Sequence, residues 1–197
     1  MLLERLDASL KKAFLESQQF SSYQPRVLHS IRSKAWVKYL AESFRDEYDK
    51  LRYRVFSADY VGNKKDFKLN ELLFDISVVG VRKICSASKN KQLVYVECME
   101  WAIESEFQKN NSRASIIDFS KLVMARSKNK LLVLPQSAKI KQWALGKLNG
   151  AVSFNDANYY LAFVPHPDGW DENMSVELYF YDGKIGWKVA SKYFLQL

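Results

Sequence analysis

Apolar positions near the amino terminus recur as Leu2, Leu3, Leu6, Leu10 and Phe14 with charged residues between them, a spacing that predicts an amphipathic helix over residues 1–17. The stretch SSYQP breaks that period, and Pro25 suits the opening of a second element. From Val27 to about Leu51, the apolar series Leu28, Ile31, Ala35, Trp36, Leu40 and Phe44 predicts a long helix. Its exposed face is expected to carry Arg32, Lys34, Lys38, Arg45 and Lys50. The period then changes to two. Leu51, Tyr53 and Val55 alternate with Arg52 and Arg54 as a short strand, and GNKKD is a turn. ELLFDISVVGVRKI reads as a mostly buried strand with Asp75 the one acid inside it. SASKNK turns the chain, and QLVYVECMEWAIESEF is a long β-rich run that one bent strand would accommodate.

A polar loop, FQKNNSRAS, leads to a helix beginning near Ile116, capped by Ser115 or an adjacent residue, with Phe119, Leu122 and Val123 on one face. SKNK ends that helix, and LLVLP is a short buried strand. The order helix, strand, strand, strand, helix, strand suits an α/β layer, helices packed on a mixed sheet. Beyond residue 150 the chain turns β-rich. NYYLAFVP and MSVELYFYDGKIGWKVASKYF read as strands, with Asp182-Gly183 marking a hairpin. These strands either extend the central sheet or form a small appendage. No repeat or long linker divides the chain. The expectation is a single domain over 1–197, with a four-to-five-stranded core about 27–135, helix 1–17 before it and a β-rich extension about 150–197.

Composition narrows the class. With 197 residues, 48% hydrophobic and 26% charged, the chain reads as an ordinary globular protein and not as a disordered or fibrous one. No apolar run approaches the roughly 20 residues that span a bilayer. The opening MLLERLDASLKKAFLES has early acids and lacks the apolar centre of a secretory signal, so a cytoplasmic protein without a membrane partner is expected. Cys85 and Cys98 are too few and too irregular for a disulfide framework or a zinc site. His29 and His166 lie far apart in sequence, and His166, in VPHPDGW, has no ligand-like spacing, so it reads as a surface or loop residue. A net charge of +8 attracts polyanions, nucleic acid first and an acidic protein partner second.

The chemistry resides in carboxylates. Asp75 in an apolar strand is costly to bury uncompensated, and a divalent metal is a strong compensator. Glu104 and Glu106, two apart on a strand, project to one face, where Asp75 on an adjacent strand could meet them. Lys121 lies on the following helix, one turn after Asp118 and on the same side.

LNELLFDISVVG, then AIESEF, then DFSKLVMARSKNKLLV resembles the PD-(D/E)xK nuclease superfamily, over roughly residues 30–135. That superfamily places one acid on its second core strand and a (D/E)-x-K pair on its third, with a helix and a fourth strand after them. The resemblance implies an α/β, restriction-endonuclease-like mixed sheet flanked by helices, with Asp75 as the first acid, Glu104 the second and Ser105 the spacer. Glu106 departs from the pattern, standing where the lysine is usual. Lys121 is the substitute the resemblance allows, because some members recruit a lysine from the next helix.

The implied activity is Mg²⁺- or Mn²⁺-dependent hydrolysis of DNA phosphodiesters, with Asp75 and Glu104 as metal ligands and Asp75, Glu104, Glu106 and Lys121 as the catalytic set. The competing frame Glu97-Cys98-Met99 puts methionine at the lysine position, which cannot assist. Glu97 and Glu100 then become rim residues or partners for nearby bases, and Glu47 and Glu71 are weaker candidates. Lys109, Arg113, Arg126, Lys128 and Lys130 could line a groove that tracks phosphates. Tyr159, Tyr160, Trp170 and Trp187 are expected mostly to pack a sheet, although exposed ones could stack on bases. The implied partner is DNA, and a homodimer would suit cleavage of both strands. The alternative is a noncatalytic relative on the same fold that binds nucleic acid or a protein.

Overall fold

The computed structural model describes residues 1–87, 91–109, 111–152 and 157–190. Two helices open the chain, α1 (Leu2–Gln18) and α2 (Pro25–Glu47), followed by β1 (Tyr53–Phe56) and a one-turn helix α3 (Lys64–Phe67). Then come β2 (Ile76–Cys85), β3 (Gln92–Ser105), α4 (Ser112–Met124), β4 (Ser127–Pro135) and α5 (Ala138–Lys147). The last strands are β5 (Asn158–Val164), β6 (Glu177–Asp182) and β7 (Gly186–Val189).

Among the described residues, seven strands form one mixed sheet in chain order, β1 to β7. Strands β1, β2 and β3 are mutually antiparallel, β3, β4 and β5 run parallel, and β5, β6 and β7 return to antiparallel. Each parallel step needs a crossover, made first by α4 and then by α5. Two right-handed crossovers stepping in one direction put both helices on the same face. The other face is left to α1 and α2. Alternation along the strands serves both layers: Ile76, Val78, Ile103, Leu131 and Val133 pack with Trp36, Leu40 and Phe44, whereas Ala102, Leu132, Leu134 and Phe163 pack with Phe119, Leu122 and Ile140. The β-rich carboxyl end therefore extends the central sheet and is not an appendage. The expected SKYF continuation of the last strand lies outside the described residues.

Several local expectations shift for identifiable reasons. The strand expected from Glu71 starts at Ile76, because Leu73 is left-handed (φ 66°) and Phe74 closes a tight turn onto the Leu72 carbonyl at 2.8 Å. The third core strand is single and bent, with register shifts between Val78/Val79 and Gly80/Val81 on its partner. Helix α4 begins four residues before Ile116, since Asn111 caps it by accepting from the Ala114 N–H at 3.0 Å. SKNK belongs to β4, not to a helix end. Helix α5 was not expected from sequence. Ser137 caps it, and a stripe of Ile140 and Ala144 anchors it between lysines. The Asp182-Gly183 hairpin is present with a three-residue loop, Asp182 pairing Gly186, whose φ of 89° closes the turn.

Candidate active site

Strand register brings the first acids together. Ile76 pairs with Ile103 in the antiparallel β2–β3 ladder, so one further step sets Asp75 opposite Glu104. Asp75 Oδ2 accepts from the Ser105 N–H at 2.8 Å, which takes the place of a ladder bond and fixes the carboxylate at the strand end. Ser105 is anchored on its other side, its Oγ accepting from Trp36 Nε1 at 3.2 Å. The spacer residue thus ties the site to α2.

Glu104 has the parity of Ala102 and faces α4, and only 4% of it is exposed. Lys121, two turns beyond the start of α4, reaches it from above, with Nζ 3.1 Å from Glu104 Oε1 and 2.7 Å from Asp118 Oδ1. Burial pushes the Asp75 carboxyl up to about 6, against the lowering effect of the Ser105 N–H. Burial and then the neighbouring Asp75 charge push Glu104 up to about 7, although Lys121 pulls the other way. The lysine is itself raised by Asp118 and Glu104, so it remains a cation at neutral pH. Its partly exposed ammonium only partly offsets two acids in a dry setting.

Glu106 lies just past β3, and its N–H continues the ladder to the Val133 carbonyl at 3.0 Å. Burial raises its pKa, and its Oε1 accepts from the Gln108 N–H at 2.6 Å, so it caps the loop leading to α4. Asp118 and Lys121 are close enough to act on its charge. The structure therefore brings Asp75, Glu104, Glu106 and Lys121 to one end of the sheet and adds Asp118, which sequence reasoning used only as a marker for Lys121. Its spacing three residues before Lys121 was the available signal.

Other candidates separate. Glu71 is exposed but near enough to raise Asp75 further, while Glu47 pairs with Arg5. Glu97 pairs with Arg82 at 2.7 Å and Glu100 with Lys128 at 2.8 Å. Of the basic residues, Arg113 and Arg126 are exposed, and Lys109 pairs with Asp168 at 2.8 Å. Lys130 is a correction: it is 1% exposed, its Nζ donating to Tyr159 Oη at 3.0 Å and the Val123 carbonyl at 3.3 Å. Being in β4 with the parity of Leu132, it points under α4 and cannot line a groove. Arg32 is likewise buried, not on the exposed face of α2. Tyr159 and Trp170 are buried and Tyr160 stacks on Trp101, as packing of the sheet requires. Cys85 and Cys98 are free thiols on β2 and β3.

The histidines depart furthest from expectation. His29 on α2 and His166 meet, with ring centroids 4.9 Å apart, and Asp168 joins them. The local signal was the H-P-D spacing of residues 166–168, while His29 carried none.

No helix among the described residues is long and apolar enough to cross a membrane. No family model matches the chain, and no curated protein or solved structure matches it.

Proposed function

We propose that the chain is a metal-dependent nuclease that hydrolyses DNA phosphodiesters on a restriction-endonuclease-like core. The observation that carries this reading is the meeting of Asp75 and Glu104 on adjacent strand ends with Lys121 above them. The succession of α2, three antiparallel strands, α4 and a parallel fourth strand supports the core assignment.

The donor set fits a hard divalent cation. Asp75 Oδ1 and Glu104 Oε2 make no hydrogen bond among the described residues, and both carboxyls are held toward neutrality by burial. Asp75 and Glu104 are the residues that would hold Mg²⁺ or Mn²⁺, which when bound supplies charge neutralisation at phosphorus and an activated water. Lys121 stays protonated, so it works as a fixed charge that offsets the phosphate and orients water, not as a base. Glu106, occupied with its own loop, has an ancillary place.

Purified protein should nick supercoiled plasmid with Mg²⁺ or Mn²⁺. Asp75→Asn should lower the rate by at least ~100-fold and Lys121→Met by ~10–100-fold, with Glu106→Gln costing less. Equal cleavage by wild type and Asp75→Asn, or none by wild type with either metal, would overturn the assignment. One observation favours the noncatalytic alternative. Lys121 is already shared between Glu104 and Asp118, a self-neutralising network. That reading expects salt-dependent DNA affinity without cleavage.

A further inference from the structure

We propose that His29, His166 and Asp168 form a second metal site, selective for a borderline transition-metal ion such as Zn²⁺ or Co²⁺ over Mg²⁺. Each residue offers one ligand atom, and the three atoms lie within 4.8 Å of one another. His166 Nδ1 and Asp168 Oδ2 are 3.4 Å apart. Two tetrahedral ligands each ~2.1 Å from one zinc ion stand roughly 3.4 Å apart, so this pair is already at coordinating separation. Two imidazoles with one carboxylate suit zinc-like ions, whereas Mg²⁺ prefers oxygen donors and water. Three protein ligands leave a position for water or a phosphate oxygen.

The cluster is held by buried structure. Arg32, one turn after His29 on α2, donates to the Pro167 carbonyl between the other two ligands, and its Nε reaches Ser17 Oγ at 3.2 Å. Its guanidinium packs on Trp170 with 5.6 Å to the ring centroid, and Trp170 Nε1 donates to the Pro165 carbonyl at 2.7 Å. One buried arginine therefore clamps the 3₁₀ turn Pro167–Gly169 against the helix that bears His29. His166 Nδ1 accepts from the Asp168 N–H at 3.2 Å, which keeps that nitrogen unprotonated, as a metal ligand must be; a bound ion would take the amide's place on that lone pair. Lys109, whose Nζ is 2.8 Å from Asp168 Oδ2, now fills the cation's place. Its side chain is 60% exposed and the pair is of the weak surface kind, so an ion displaces it readily.

This site shares no ligand with Asp75 and Glu104, although His29 is close enough to act on the charge of Glu106, and its test does not depend on cleavage. The chain has two histidines, so every imidazole resonance reports on the site. Stoichiometric Zn²⁺ added to the full chain should shift both sets of imidazole resonances together, while Mg²⁺ should leave them in place. Read in the intense visible band of tetrahedral cobalt, which an oxygen-ligated octahedral ion does not give, titrations should show His166→Gln and Asp168→Asn binding on the order of 100-fold more weakly, with that band kept in Asp75→Asn. Circular dichroism would establish that the variants are folded, and His29→Gln offers an independent variant. If saturating Zn²⁺ moves neither imidazole or only one, the proposal fails. It also fails if His166→Gln binds Co²⁺ as tightly as wild type, or if binding is lost with Asp75→Asn and kept with His166→Gln.

Discussion

Asp75 and Glu104 carry a cost that pH can measure. Their folded-state values, about 6 and about 7, lie above the ordinary 3.8 and 4.5 because burial disfavours the charged forms. A carboxyl whose folded pKa is raised makes the folded state bind more protons, so its contribution is fully present below about pH 4. It is lost as pH rises through 6 to 7. Asp75→Asn keeps the acceptor for the Ser105 N–H and removes the charge. In chelator at pH 8 it should stabilise the fold by on the order of 1–3 kcal/mol, with the gain vanishing near pH 4. Thermal melts of wild type and variant across pH 4–8 check this. Taking the difference between the two proteins cancels the opposing titration of His166, whose pKa burial lowers. An Asp75→Asn protein no more stable than wild type at pH 8 would show that the pair carries no such conflict.

At the scale of elements, α4 decides whether Lys121 reaches the acids. Its amino end depends on the Asn111 cap, and its second half on Phe119 and Leu122 packed beneath it. Asn111→Ala should cost about 1 kcal/mol in denaturant unfolding and speed amide exchange in the first turn. Lys121 lies beyond that turn, so any Lys121-dependent cleavage should persist. Phe119→Ala, which empties a fully buried ring, should cost about 3–5 kcal/mol and weaken cleavage as well. Equal effects of the two variants on cleavage would mean that the first turn, and not the packed half, positions the lysine.

Across the whole molecule, the +8 charge is less available than a count of lysines implies. Lys109 and Lys128 are paired with acids and Lys130 is buried, whereas Arg113 and Arg126 stand exposed. If DNA is the partner, Arg113→Ala and Arg126→Ala should each reduce the slope of log affinity against log salt by ~1. Lys130→Met should leave that slope unchanged. Fluorescence anisotropy at several salt concentrations reads the difference, and an equal slope change for Lys130→Met would contradict the burial of its ammonium.

The sequence by itself determined the two leading helices and the order of core elements, and it singled out Asp75 and Glu104, although it set Asp75 inside a strand that in fact begins at Ile76. These follow from local periodicity, which a folded chain must respect to bury its apolar faces. It also marked Lys121, because a lysine one turn after an aspartate on an amphipathic helix has few places to point. Only the tertiary structure decided what parity and distance govern. Lys130 reads as one more surface base until β4 is seen to include SKNK, when alternation drives it inward. Arg32 looks exposed until α1 and the Pro167 turn close over α2. His29 and His166, 137 positions apart by their numbering, become neighbours because α2 lies across the sheet, its start against the turn after β5 and its end beside β1. Contacts between distant segments follow from how layers stack, and no window of sequence contains that.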